Sequence, residues 1–133
     1  MTDAPALTGT IEVAIYVDDV PRAVTFYEKV LGLSVLEADT RLTAMAAGRQ
    51  ILLVCLRGAS VKLPKTAHDA QGSQHVAFSV AGVDLPAWEA HLQANGVEIV
   101  ETRAWARGGR SLYFRDPDGH LLELATPGVW SIY

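Results

Sequence analysis

EVAIYVDDVPRAVTFYEKVLGLSV (12–35) and HVAFSVAGVDLPAWEAHLQANGVEIV (75–100) follow one plan, and their likeness decides the fold. EVAIYV reappears as HVAFSV, an alternating strand-like run, and each copy passes through a short polar turn into an amphipathic helix. In the first copy Asp18 and Asp19 offer capping oxygens and Pro21 suits a first helical turn. Val20, Ala23, Val24, Tyr27, Val30 and Leu31 fall at helical spacing, and Gly32 ends the run. In the second copy Asp84 takes the cap position and Pro86 the first turn. Leu85, Trp88 and Leu92 form its apolar stripe, and Asn95-Gly96 closes it as a left-handed cap. GVEIVE then leads into strand.

Both copies continue into further strands. RLTAMAAG and QILLVCL follow in the first; SLYFR and HLLELA, joined by Asp-Pro-Asp-Gly, follow in the second. The chain therefore reads as a βαβββ unit used twice, an α+β fold. Module one covers about 8–57, a linker of loop composition about 58–73, and module two about 74–128. Neither unit alone can bury both its helix and its sheet, so the expectation is one domain over 1–133.

Composition narrows the class. The 133 residues are 50% hydrophobic and 20% charged, a globular balance long enough for one sizeable core. A formal charge of −4 with no Lys/Arg cluster gives no footprint for nucleic acid. Ile51–Leu56 is the longest aliphatic run, too short to cross a membrane. MTDAPALTGT lacks the basic and apolar regions of a signal peptide, so a cytoplasmic location is the expectation. Cys55 is the only cysteine, which excludes an internal disulfide, and ILLVCL places it as a buried inert thiol.

Strand parity then assigns faces. Ile11, Val13, Ile15 and Val17 belong on the helix side, leaving Glu12, Ala14 and Tyr16 opposite. Val76, Phe78 and Val80 belong on the helix side, leaving His75, Ala77 and Ser79 opposite. Glu12 and His75 thus hold equivalent places, each followed by small residues that leave room for a concavity. Aligning Gln50-Ile-Leu-Leu53-Val with His120-Leu-Leu-Glu123-Leu gives Glu123 the place of Leu53. If the two sheets curl together, Glu12, His75 and Glu123 converge on one cavity. Two carboxylates and an imidazole suit a divalent Mn, Fe, Zn or Ni ion, with coordination positions left open for substrate.

AIYVDDVPRAVTFYEKVLGLSV and GGRSLYFRDPDGHLLELATP resemble the two signatures of the vicinal oxygen chelate superfamily. That group includes glyoxalase I, bleomycin-resistance proteins, fosfomycin-resistance enzymes and extradiol dioxygenases. The resemblance runs from about Ile11 to Gly128. It implies paired βαβββ modules forming a U-shaped mixed sheet around a divalent metal in a central cavity, commonly in a homodimer. Its ligands fall on Glu12, where relatives often carry His, and on His75 and Glu123. The fourth ligand of glyoxalase I would fall on Leu53 or Val54, which cannot ligate, and this disfavours that activity.

The stretch from Ser111 to His120 is similar to the fosfomycin-modifying enzymes, in which the Ser and Tyr equivalents line the substrate site. Ser111 and Tyr113 share a strand face, as that role requires. Arg110, with Arg107 in a cationic loop, can clamp an anion, and Trp105 can wall the pocket. His120 reads as a surface or turn residue and His91 as a helix residue without a functional role; His68 lies in the linker.

The leading expectation is a divalent-metal-dependent enzyme that chelates a small oxygen-rich substrate, of lyase, isomerase, dioxygenase or thiol-transferase type. The alternative is a metal-free protein that binds a small molecule or antibiotic, as bleomycin-resistance proteins do. A small-molecule partner and a second copy of the chain are expected, with neither nucleic acid nor membrane.

Overall fold

The structure, a computed structural model, describes residues 3–133. The first two residues, part of the N-terminal stretch read for a leader, lie outside the described residues. Module one comprises β1 (Glu12–Val17), α1 (Val20–Leu31), β2 (Ser34–Ala38), β3 (Leu42–Ala47) and β4 (Gln50–Leu56). Module two comprises β5 (His75–Ser79), α2 (Leu85–Ala94), β6 (Glu101–Ala104), β7 (Arg110–Arg115) and β8 (Leu121–Ala125). They form two four-stranded mixed sheets of matching order, β1-β4-β3-β2 and β5-β8-β7-β6. β1 runs parallel to β4 and β5 to β8, while the remaining pairs are antiparallel. A parallel pair needs a long crossover, and each module routes it through its helix. No helix among the described residues is long and apolar enough to cross a membrane.

The helix ends behave largely as their residues dictate. Asp19 accepts from the Arg22 N–H at 3.0 Å, and Pro21 sits in the first turn of α1. Gly32 ends α1 at φ +69, a left-handed conformation in which Leu33 N–H reaches back to the Tyr27 carbonyl. Asp84 differs from expectation: its side chain makes no capping bond. A 3-10 turn over Gly82–Asp84 feeds straight into α2 and holds Asp84 in helical dihedrals, so its carboxylate cannot fold back.

The second expected strand of module two is also displaced. Val97 and Ile99 pack against the core instead of pairing, and β6 begins only at Glu101. The Val97 N–H closes the end of α2 by bonding the Leu92 carbonyl, which delays the strand.

Both sheets press their helix-side residues into one core. Ile15, Val17, Leu52 and Val54 meet Tyr27, Leu92, Leu122 and Leu124 there. Each such side chain contributes roughly 1.5–3 kcal/mol by leaving water. Ile11 and Val13 lie on the expected face but stay 61% and 41% exposed, beyond the cover of α1. Cys55 is fully buried, as expected, and burial pushes its thiol up from its ordinary value.

His120 overturns its reading as a surface residue: it is fully buried. Asp116 Oδ1 accepts from both the Asp118 and His120 N–H groups at 2.9 Å, curling the Asp-Pro-Asp-Gly turn inward. The imidazole then sits between the modules. Its Nδ1 accepts from Gln74 N–H at 2.9 Å, and its Nε2–H donates to the Tyr16 carbonyl at 2.7 Å. Gln74 Oε1 in turn accepts from Tyr16 N–H at 3.1 Å. Together these bonds satisfy the outer edge of β1 with groups from module two.

Two expectations follow. His120→Ala leaves a cavity and two unpaired backbone groups, costing roughly 2–4 kcal/mol in a denaturant titration. Tyr27, buried with its hydroxyl donating to Asp116 Oδ2 at 2.6 Å, has its phenol raised first by burial and then by the Asp116 charge. The unfolded chain releases that proton near pH 10 while the folded chain keeps it, so Tyr27 contributes stability that falls as pH climbs past about 10. Tyr27→Phe should flatten that alkaline slope, measured as melting temperature against pH.

Candidate functional site

The β registers reproduce the alignment of the two modules. Ala14 faces Leu53 across β1–β4, and Ala77 faces Glu123 across β5–β8. Glu12 and His75 are therefore equivalent, as are Leu53 and Glu123. The neighbouring strand extends the contrast. Ala44 opposes Leu53 where Tyr113 opposes Glu123, and Leu42 opposes Cys55 where Ser111 opposes Ala125. One sheet face is apolar at the positions where the other is polar.

The polar face is tightly connected. Glu123 is 6% exposed, and its Oε2 accepts from the Ser111 hydroxyl at 2.6 Å. Trp105 Nε1–H donates to that same Ser111 oxygen at 2.9 Å. Glu123 Oε1 lies 3.2 Å from His75 Nε2. The other imidazole nitrogen, Nδ1, stands 2.8 Å from the Leu121 carbonyl. A carbonyl only accepts, so Nδ1 carries the hydrogen, and a neutral His75 therefore turns the Nε2 lone pair toward Glu123. A carboxylate oxygen and an imidazole lone pair at that distance repel unless a proton or a cation lies between them. Donor atoms bound to one ion at about 2.0–2.2 Å stand roughly 3 Å apart, so the pair fits a divalent metal.

Tyr113 adds a proton donor. Its ring stacks beside His75 with centroids 6.4 Å apart. Burial, and after it the Glu123 charge, raises its phenol above the ordinary value, so the hydroxyl stays protonated at neutral pH. Arg103 stands over both Trp105 and Tyr113, its guanidinium carbon 5.2 Å from each ring centroid, and bonds Glu101 at 2.6 Å. Sequence reasoning passed over Arg103. Its signal was parity: Arg103 lies opposite Ser111 in the β6–β7 register and so shares the face of Ser111 and Tyr113.

Not every expected residue gathers here. His75, Glu123, Ser111, Tyr113 and Trp105 come together. Arg110 does not: it alternates with Ser111, shares the parity of the core residues Leu112 and Phe114, and is exposed. Arg107, in the β6–β7 turn, is also exposed. Glu12 lines a separate concavity of about 710 Å³ on module one, above Leu42, Ala44, Ile51 and Leu53 and beside Glu37 and Asp39. Among the described residues no group of three His, Cys, Asp or Glu side chains forms a metal cluster within one chain. His68, whose linker role was open, hydrogen-bonds the Tyr16 hydroxyl through Nδ1. His91 bonds the Val30 carbonyl at 3.0 Å, which ties α2 to α1.

Known proteins share this architecture and sequence. The chain is 34% identical over 125 residues to metallothiol transferase FosB of Bacillus licheniformis, covering 93% of this chain and 79% of that protein. A crystal structure of lactoylglutathione lyase from Agrobacterium tumefaciens superposes with a TM-score of 0.88 at 28% identity, covering 96% of this chain and 99% of that one. Fosfomycin resistance protein FosX from Mesorhizobium loti shares the fold, with a TM-score of 0.66 at 23% identity over 91% of this chain and 93% of that one. The profile of the Glyoxalase/Bleomycin resistance protein/Dioxygenase superfamily matches residues 10–124, and the chain, with its two βαβββ modules and matched sheet registers, belongs to that superfamily.

Proposed function

We propose that the protein is a divalent-metal-dependent enzyme of thiol-transferase type, acting on a small oxygen-rich substrate. The observation that carries the proposal is the facing pair His75 Nε2 and Glu123 Oε1, with the imidazole proton held on the far side by Leu121. The likeness to a metallothiol transferase over nearly the whole chain supports the choice of reaction. A bound ion, with Mn, Fe, Zn or Ni as candidates, would supply Lewis-acid stabilisation to substrate oxygens.

His75 and Glu123 would hold the ion, with Ser111 holding the carboxylate. Arg103 offers a guanidinium to an anionic group of the substrate, pre-oriented by the two flanking rings. In the transfer a thiolate sulfur forms a bond to a substrate carbon, the carbon–oxygen bond breaks, and the departing oxygen takes a proton. Tyr113, protonated and directly opposite Glu123 in the β7–β8 register, is placed to give that proton.

Glu12 completes the ligand set from a second copy of the chain. Within one chain it stands on the other module, yet it is the register equivalent of His75 on an open face with an apolar floor. Laying that face on the polar face of a partner would bring Glu12 to His75 and Glu123 in a two-fold dimer.

A lyase reading draws on the Agrobacterium structure. Leu53 at the position equivalent to Glu123 opposes it, because a four-ligand site needs a donor there. Metal-free binding remains an outcome of the test.

Protein purified without chelator should retain about one transition-metal ion per chain, with Glu123→Ala and His75→Ala each losing it while folded. Substrate consumption with thiol should then appear as a covalent adduct by mass spectrometry. A folded wild type that takes up no metal would sink the enzyme reading in favour of simple binding.

The shared site has its own test. Glu12→Ala and Glu123→Ala variants, each inactive alone, should recover metal binding in roughly a quarter of sites when refolded together, because each mixed dimer keeps one intact site. No recovery in mixed dimers would place the whole site in one chain.

A further inference from the structure

Ser111 receives one hydrogen bond and gives another, and the order of those bonds is fixed by chemistry. The indole Nε1–H of Trp105 can only donate, so Ser111 Oγ accepts from it at 2.9 Å. The single hydroxyl proton of Ser111 then goes to Glu123 Oε2 at 2.6 Å, a charge-assisted bond. The three groups form a relay with one polarity, in which each bond strengthens the next. With Oε2 engaged, Oε1 is the oxygen that meets His75.

The far end of the relay is held by backbone. Trp105 closes the β6–β7 turn: its N–H donates to the Gly109 carbonyl at 2.8 Å, and its own carbonyl accepts from Gly108 N–H at 2.9 Å. A Cβ on Gly109 would overlap the backbone of Gly128 and Val129, so the turn is pressed against the C-terminal segment. That segment is itself tied down, with the Tyr133 hydroxyl donating to the Ala125 carbonyl at 2.9 Å. The indole is thus anchored independently of the carboxylate that it serves.

We propose that Trp105 is a positioning residue for Glu123, acting through Ser111 to commit one carboxylate oxygen and present the other toward His75. The proposal rests on the metal-dependent reading for its consequence, but the relay itself is built from protein groups alone. It gives Trp105 a role beyond that of an apolar pocket wall, which any large aromatic would fill.

Trp105→Phe keeps a ring and removes only the donor. Its expected effect is about a 10-fold weaker Mn²⁺ affinity, at the lower end of what loss of a ligand's hydrogen-bond partner causes, with the fold intact by circular dichroism. The second measurement needs no metal. In ¹⁵N–¹H spectra the Trp105 indole resonance, identified by its loss in Trp105→Phe, should move upfield in Ser111→Ala and also in Glu123→Gln. An indole resonance indifferent to both substitutions overturns the relay. A responsive resonance with unchanged Mn²⁺ affinity in Trp105→Phe overturns the positioning role. If wild-type protein binds none of Mn²⁺, Fe²⁺, Zn²⁺ and Ni²⁺, the metal reading fails, and the resonance still decides the relay.

Discussion

Glu123 is a carboxylate placed among Leu122, Leu124 and the rest of a buried strand, and everything around it answers to that charge. An ionised group so little exposed costs several kcal/mol unless it is compensated. One oxygen is compensated by the Ser111 hydroxyl, a bond worth about 1.5–3 kcal/mol because its acceptor is charged. The other faces an imidazole whose hydrogen is turned away. The Ser111 bond thus stabilises one half of the carboxylate, and the other half is satisfied only by a proton on His75 Nε2 or by a cation beside it. The proposed metal-binding role rests on that asymmetry.

The duplicated architecture sets Glu12, the third proposed ligand, on the other module and away from that pair. Two modules with the same strand order and registers carry opposite chemistry on their open faces: Leu42, Ala44 and Leu53 in one, Ser111, Tyr113 and Glu123 in the other. A cavity made from two like faces would be either wholly apolar or overcharged. Apposing unlike faces would join an apolar floor to a polar wall, and Glu12 is the group that the first face is proposed to contribute to the ion. The buried His120, bonded to β1 and to the start of module two, fixes how the two modules of one chain lie beside each other.

Period-two alternation made much of this legible. It separated Ile15 and Val17 from Glu12 and Tyr16, paired Glu12 with His75, and set Glu123 against Leu53, because strand parity is a local property. What depended on tertiary closure was not legible. His120 follows a turn glycine and carries a polar ring; only the inward curl of the Asp116 turn buries it. Val97 and Ile99 have strand composition, but the end of α2 claims the Val97 N–H first. Arg110 looked suited to an anion beside Ser111, yet one step along a strand reverses the face. Arg103, at the correct parity, was missed because its partners Trp105 and Tyr113 lie on the turn after it and on the next strand.

The charge balance of the assembled site gives these details a common sense. With Glu12 in place of a neutral imidazole, the proposed ligand set carries two negative charges, which neutralise a divalent ion and blunt its pull on an anionic substrate. The favourable charge must then come from elsewhere on the same face. In the proposed site Arg103 would supply it: its guanidinium is permanently cationic, oriented by two aromatic rings, and placed opposite Ser111 in the β6–β7 register. Glu101 holds one side of that guanidinium, which fixes its direction while reducing its net field. In that reading substrate attraction would move from the ion to an arginine, and Tyr113, whose ring Arg103 overlies, is kept protonated by its burial and by Glu123. A site organised in this way would separate the group that draws the substrate in from the groups that stabilise its reacting oxygen. As a proposed ligand, Glu12 would then replace a histidine without leaving the pocket uniformly anionic.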